Sequence, residues 1–113
     1  MKLLTRHEEH VLLTILHLGD NAYLVTIKDY LEDQTFKELS YGTLYVSLKR
    51  LEKMGYVQHQ VGEATSKRGG KAIRYYSVTK AGVRALEKTR KVQESLWNGF
   101  SSLAIKVGKI HES

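Results

Sequence analysis

Residues 40–57 read SYGTLYVSLKRLEKMGYV, and this stretch decides the fold that we predict. Ser40 can cap a helix at its start, and Gly55 is a typical residue just after a helix ends. Between them, three leucines recur at i, i+4 and i+7, the spacing of a helix that buries one side: Leu44, Leu48 and Leu51. The stretch therefore predicts an amphipathic helix with a polar first turn.

Two more helices are predicted before this one. Thr5 and Glu8 form a Thr-x-x-Glu capping box, and apolar residues at helical spacing follow as far as about Leu18. Thr26 can cap a second helix, and residues 33–39 read as a turn or loop. Because the second helix ends shortly before the third begins, a helix-turn-helix arrangement is possible.

A hairpin and a last helix are predicted after the leucine-rich helix. Residues 56–61 and 73–78 have the composition of strands, and the segment GEATSKRGGK at 62–71 joins them as a loop with a basic tip. Thr79 can cap a final helix that runs to about Lys109. A heptad-like stripe marks its end, at Leu96, Phe100, Leu103, Val107 and Ile110.

The order of these elements predicts the fold class. The chain should be mainly α with a small β hairpin (α+β), as a winged helix-turn-helix with a C-terminal dimerisation helix. We expect a winged-helix DNA-binding domain over residues 1–79 and the dimerisation helix over 80–113.

Charge and composition narrow the class of partner. Residues 1–39 carry four Lys or Arg and seven Asp or Glu, a net −3; residues 40–78 carry seven and two, a net +5; residues 79–113 carry seven and three, a net +4. An acidic first third followed by a basic remainder favours a polyanionic partner, although ordinary solvated surface is the alternative.

The absence of cysteine excludes disulfides and thiolate metal sites. Without a leader or an apolar run of about 18 residues, we expect a cytoplasmic protein with no membrane contact.

The first turn of the third helix carries the candidate base contacts. In a winged helix the third helix enters the DNA major groove, and its N-terminal half usually reads bases. Gly42 costs the helix about 1 kcal/mol relative to alanine, which makes sense where a backbone must approach its partner closely. Double-stranded DNA is thus the expected partner of Ser40, Tyr41, Gly42, Thr43 and Tyr45. The alternative is a merely polar, exposed turn.

The candidate phosphate contacts come from the same helix and from the hairpin loop. Lys49 projects from the helix after the first turn, and Lys67, Arg68 and Lys71 lie in the loop, with Arg74 just inside the second strand. Cations of this kind position a protein on DNA and make its binding strongly dependent on salt.

Other chemistries find little support. A phosphate-binding P-loop needs Ser or Thr after Gly-Lys and a helix behind it, whereas Lys71 is followed by Ala72 and a strand. His7, His10 and His17 can share one side of the first helix, but they lack the spacing of a zinc motif. We expect no metal, no cofactor and no catalytic residues, and hence no enzyme.

The last helix carries an exposed apolar cluster at Leu96, Trp97, Phe100 and Leu103. The simplest interpretation is a homodimer contact, because a terminal helix must bury its apolar stripe. The alternative is a cavity in which Trp97 stacks on a small aromatic effector. We interpret the chain as a dimeric DNA-binding repressor; a small-molecule-binding or protein-interaction dimer without operator binding is the rival hypothesis.

Three stretches resemble the PadR-like family of bacterial transcriptional regulators. They are YGTLYVSLKRLEKMGYV at 41–57, RYYSVTKAG at 74–82 and NAYLVTI at 21–27, within a similarity that covers roughly residues 5–90. The resemblance implies a winged helix, a homodimer joined through the C-terminal helix and repression at a palindromic operator. It also implies DNA contacts at the positions named above, and an aromatic effector near Trp97 in some members. Val46 stands where many members have proline, and residues 68–71, RGGK, replace a common Gly-Arg-Pro.

Overall fold

The computed structural model describes residues 2–62 and 72–111. The helices and strands follow one another in this order: α1 (Arg6–Leu18), a single 3-10 turn (Gly19–Asn21), α2 (Leu24–Thr35), α3 (Tyr41–Lys53), β1 (Val57–Val61), β2 (Arg74–Val78), α4 (Lys80–Trp97) and α5 (Phe100–His111). The predicted class, mainly helical with a small hairpin in winged-helix order, is confirmed.

Helix α1 begins where the capping box predicts. The Thr5 N–H donates to Glu8 Oε1 at 2.8 Å, and the Glu8 N–H donates to Thr5 Oγ1 at 3.1 Å. Two backbone donors that a helix start leaves unpaired are thereby satisfied. The helix ends before Gly19, whose φ of 57° lies in the left-handed half of the map.

Helix α2 begins two residues before Thr26, so the prediction of Thr26 as its N-cap is wrong. The Thr26 hydroxyl lies inside the first turn, where it accepts the Tyr23 N–H at 3.0 Å and donates to the Asn21 carbonyl at 2.5 Å. The helix also continues to Thr35, so the predicted loop at 33–39 is shorter than expected. Phe36 caps the C-terminal end of α2 with a φ of 58°.

Helix α3 follows the prediction closely. Ser40 is its N-cap and accepts the Thr43 N–H at 3.1 Å, and Gly55 follows its end with a φ of 82°. The three leucines of this helix are fully buried, with an exposed fraction of 0%: Leu44, Leu48 and Leu51. They face residues of α1 and α2, among them Leu12 and Ile27, in one apolar core.

The two strands form an antiparallel hairpin. Val57 pairs with Val78 at the base, and Val61 pairs with Arg74 toward the loop. The strands start one residue later than predicted, and they reach the core through the buried Val57 at the base and Tyr76 in the middle of β2. The Tyr76 N–H donates to the Ala22 carbonyl at 2.8 Å, which ties the hairpin to the segment before α2.

Helix α4 packs against the hairpin and α1 by its first half. Thr79 caps it, as predicted, and accepts the Gly82 N–H at 3.1 Å. Ala85, Leu86 and Thr89 are buried on the packed side. The Gln93 side chain donates to Glu9 Oε1 at 3.1 Å, which extends the contact with α1 by one more turn.

The prediction of one continuous helix from Lys80 to about Lys109 is wrong. Helix α4 stops at Trp97, and Asn98 and Gly99 separate it from α5. The backbone leaves the helix at Asn98, which has a ψ of 127°, and continues through Gly99 at a φ of 77°, a conformation that glycine adopts readily. The predicted heptad-like stripe is consequently divided between two helices. None of the helices in the described ranges has the length and apolar character of a bilayer-spanning segment.

Candidate nucleic-acid interface

One face of α3 points away from the core. Successive residues of a helix are about 100° apart, so the positions opposite the three buried leucines can be derived directly. Those positions are exposed, and they are occupied by Gly42, Val46, Lys49 and Lys53. We call these four residues the outer strip of α3. The leucines hold the helix in the core while the outer strip faces outward. The strip can therefore enter a groove of a binding partner without disturbing the core.

The two hydroxyls at the start of α3 are already joined to each other. Ser40 Oγ donates to Thr43 Oγ1 at 2.8 Å while it accepts the Thr43 N–H. Thr43 Oγ1 therefore keeps its own O–H as a donor for an outside partner. Both predicted contact residues are exposed, but Ser40 is committed to capping and Thr43 is the freer of the two.

Tyr41 lies beside a lysine that sequence reasoning missed. Lys28 of α2 places its Nζ 5.0 Å from the centre of the Tyr41 ring and 2.9 Å from Glu32 Oε1. The hydrogen bond to Glu32 raises the pKa of Lys28, so the ammonium group stays charged. Lys28 therefore lies beside Tyr41 as an ammonium group paired with the Glu32 carboxylate, so it adds little net positive charge to this surface.

Tyr45 connects α3 to the hairpin. Arg74 of β2 donates from Nη1 to the Tyr45 hydroxyl over a long 3.4 Å, and this bond raises the pKa of Arg74. The contact places a permanently charged guanidinium at the edge of the α3 surface. The sequence places Arg74 with the basic residues of the hairpin, but its contact with Tyr45 is found only in the structure.

The basic residues in the second half of α3 are not equivalent. Lys49 and Lys53 belong to the outer strip. Arg50 lies beside that strip, with its Nε 3.8 Å from Glu8 Oε2. Because the Glu8 side chain is largely buried, Arg50 neutralises it and stabilises the contact between α3 and α1. Lys49 and Lys53 are the better candidates for phosphate contacts.

A histidine supports α3 from behind. His7 Nε2 lies 2.9 Å from Ser47 Oγ, which in turn donates to the Thr43 carbonyl at 3.0 Å. Because the Ser47 hydroxyl donates to that carbonyl, its oxygen accepts the hydrogen bond from His7, which requires a hydrogen on Nε2. Burial lowers the pKa of His7, and the nearby His10 adds to the effect.

The predicted contacts in the hairpin loop, Lys67, Arg68 and Lys71, lie outside the described residues. The two strands are described up to the point where this loop begins. The Gly62 N–H donates to the Ile73 carbonyl at 2.7 Å beyond the last strand pair, and Arg74 joins the same end of the hairpin to α3.

The predicted apolar cluster is exposed around the break between α4 and α5. Leu96 has an exposed fraction of 79%, and Trp97, Phe100 and Leu103 are exposed as well. The rings of Trp97 and Phe100 pack edge to face with their centroids 4.8 Å apart. An open concavity of about 490 Å³ lies beside them, lined by residues 94 and 97–102. The exposed apolar surface is large for residues that contact only solvent.

The described ranges contain no group of three or more His, Asp or Glu side chains that could hold a metal ion. Two of the three histidines on α1 have other partners: His7 contacts Ser47, and the His17 ring stacks on Tyr30 at 5.7 Å between centroids.

Comparison with known proteins identifies the family to which this arrangement is similar. The sequence model described as "Transcriptional regulator PadR-like family" matches residues 12–88. A comparison with curated proteins gives no match.

Solved structures of transcriptional regulators share the fold. A regulator from Clostridium thermocellum superposes with a TM-score of 0.67 at 24% identity, over 84% of this chain and 89% of the other. A PadR family regulator from Clostridium difficile R20291 gives 0.61 at 23% identity, over 89% and 97%. One from Eggerthella lenta DSM 2243 gives 0.61 at 25% identity, over 87% and 86%.

Proposed function

The chain belongs to the PadR-like family of transcriptional regulators, and from that premise we propose that it is a sequence-specific DNA-binding repressor acting as a homodimer at a palindromic operator. Proteins of this family are regulators of transcription and not enzymes. The observation that carries the proposal is the outer strip of α3, exposed opposite three buried leucines and flanked by Lys28 and Arg74.

In the mechanism that we propose, two copies of α3 enter successive major grooves about 34–36 Å apart. Tyr41, Thr43 and Tyr45 contact bases or nearby phosphates, and Gly42 lets the helix backbone approach closely. Lys49 and Lys53 contact phosphates, which fix the register without reading sequence. Arg74 would extend this positive surface from the hairpin, through its contact with Tyr45.

The hairpin loop and the end of the chain complete the proposal. Lys67, Arg68 and Lys71 are proposed to contact the DNA backbone beside α3. Residues 80–113 are proposed to join the two copies, because the cluster around Trp97 exposes apolar surface that a partner would bury. We place the action of such a regulator in the cytoplasm, together with its DNA.

A small aromatic effector is part of the proposal. The ring pair of Trp97 and Phe100 borders the open concavity, and a flat ligand could stack there at the dimer contact. Such a ligand changes DNA affinity only if it prefers one arrangement of the two copies over another.

A second candidate function is a small-molecule-binding or protein-interaction dimer without operator binding. The exposed cluster at the end of α4 favours it, because that surface needs no DNA to explain it. The two candidates differ in what they require of α3: an operator-binding protein depends on the outer strip, whereas the second candidate leaves it without a role.

Fluorescence anisotropy tests the proposal. The purified protein is titrated against labelled DNA from its own promoter and against scrambled DNA of the same composition, at about 50 and 200 mM salt. We expect tight promoter-selective binding that weakens steeply with salt. A double variant, Lys49→Ala with Lys53→Ala, should bind more weakly and with a smaller salt slope.

The matched control removes two lysines elsewhere, at Lys2 and Lys37, and leaves the net charge equal to that of the double variant. Equal, weak binding of the wild-type protein to both DNAs would contradict the proposal and favour the second candidate.

A further inference from the structure

Val46 is an exposed apolar residue in the middle of the outer strip of α3. Its exposed fraction is 65%, although it lies on the same helix as three fully buried leucines. By the 100° rotation per residue it points almost directly away from the core. Its side chain is thus presented outward, between Gly42 one turn before it and Lys49 one turn after it.

Folding does not explain this valine. A β-branched residue in an exposed helix position is less favourable than alanine, because its side chain loses rotational freedom against the preceding turn. At 65% exposure it also gains little from burial. A residue that costs the helix and adds little to the core is better explained by a contact outside the chain.

The space beside Val46 is open. Side chains of a helix lean toward its N-terminus, so the Val46 methyls lie over the turn that contains Gly42. A Cβ at Gly42 would have no atom within 4 Å, and glycine leaves that space empty. The result is a small apolar spot with open space beside it, on the same strip as Lys49.

We propose that Val46 contacts the 5-methyl group of a thymine in the major groove and so helps to select the operator sequence. The inference rests on the proposed function. Val46 has no side-chain hydrogen-bonding group, and the thymine methyl is the distinctive apolar group that base pairs present in the major groove. Tyr41 and Tyr45, one turn apart on one flank of the strip, carry hydroxyl groups that can meet polar base edges, and Val46 supplies the apolar element of the same surface.

Deoxyuridine substitution tests the contact. Sites selected by the wild-type chain from a random DNA pool are resynthesised with each thymine replaced in turn by deoxyuridine, which removes only the methyl. We expect the wild type to lose about fourfold in affinity at one thymine in each half-site, the value for burial of one methyl-sized group. The Val46→Ala protein should bind the thymine and deoxyuridine sites equally.

The control variant is Val83→Ala, the same change at an exposed valine of α4. It should keep the wild-type loss at that thymine. If Val46→Ala shows the wild-type loss too, another residue reads the methyl and the inference is wrong. If no deoxyuridine site weakens wild-type binding although a sequence is selected, the inference is wrong while the proposed function stands. A wild-type chain that selects no sequence would refute the proposed function and this contact with it.

Discussion

Two helical glycines, Gly82 and Gly42, should respond in opposite directions to the same substitution. A Cβ added at Gly82 would overlap the Tyr56 carbonyl oxygen and lie 2.7 Å from Val78 Cγ1. A Cβ added at Gly42 would meet no atom within 4 Å. Neither glycine has a positive φ, so alanine suits the local backbone at both positions and only the surroundings differ.

The magnitudes follow from three terms. Alanine in place of a helical glycine stabilises by about 0.5–1 kcal/mol, and Gly42→Ala should show this gain alone. At Gly82 the gain is opposed by overpacking, which costs about 1–3 kcal/mol. The Tyr56 carbonyl cannot move freely, because it accepts the Thr79 N–H at 3.0 Å, and weakening that bond costs roughly 1 kcal/mol more. Gly82→Ala should therefore destabilise the fold by about 1–3 kcal/mol.

Urea unfolding followed by circular dichroism measures both variants. Protein concentration must be equal throughout, because the stability of a dimer depends on it. A Gly82→Ala protein as stable as the wild type would refute the close packing of α4 on the hairpin. A Gly42→Ala protein that is less stable would refute the open position on α3. The Gly42→Ala protein should bind DNA more weakly although it unfolds at a higher urea concentration. Its effect on recognition is thereby separated from its effect on folding.

Three further predictions concern the loop, the pH response and the dimer. Replacing Lys67, Arg68 and Lys71 together by alanine should weaken DNA binding. It should also lower the slope of log K against log salt by roughly 2–3, because each lost phosphate contact contributes about 0.9. An unchanged slope would contradict phosphate contacts from the loop. Because burial lowers the pKa of His7, the unfolded chain binds a proton more readily than the folded one, and stability should fall as pH decreases from about 6.5 through the lowered pKa. A His7→Gln protein should lack this part of the pH dependence in urea unfolding at several pH values, and identical pH profiles would contradict it. Leu103→Asp should convert the proposed dimer to monomers in sedimentation equilibrium and weaken DNA binding, whereas a persisting dimer would exclude this residue from the proposed contact.

Helices with strong local signals are predicted well from the sequence. The Thr5 and Glu8 side chains satisfy each other's backbone donors within four residues, so the start of α1 depends on nothing distant. Ser40 and Gly55 act in the same way at the two ends of α3. In each case the residues that set the boundary are its immediate neighbours.

The start of α2 depends on contacts that the local sequence does not contain. A hydroxyl at Thr26 can serve as an N-cap or as the third residue of the helix, and the sequence leaves both open. The Ala22 carbonyl accepts the Tyr76 N–H from a strand more than fifty residues later. That bond holds the chain extended before Tyr23, so the helix starts there.

The exposure of the first half of α3 can be predicted from the sequence, whereas the contacts that Lys28 and Arg74 make with it cannot. The spacing of the three leucines shows which side of α3 is buried, and this side fixes the rotation of the helix about its axis. The residues that face outward follow from that rotation. Lys28 and Arg74 reach Tyr41 and Tyr45 from other elements, across 13 and 29 positions of sequence. No local pattern joins such residues. The break at Gly99 was missed for a related reason, since an exposed helix has few packed neighbours that would fix its path.

The two sides of α3 therefore carry separate requirements. Leu44, Leu48 and Leu51 hold the helix in place, and a change there would alter the core and the position of every residue on the outer strip. Changes at Val46 or Lys49 remove no core contact, so they can alter recognition while the fold stays intact. Arg50 belongs to neither group. It lies beside the outer strip, yet its charge offsets the largely buried Glu8, so its replacement would affect stability and DNA binding together. Variants that change operator preference alone are thus expected on the strip itself and not at its border with α1.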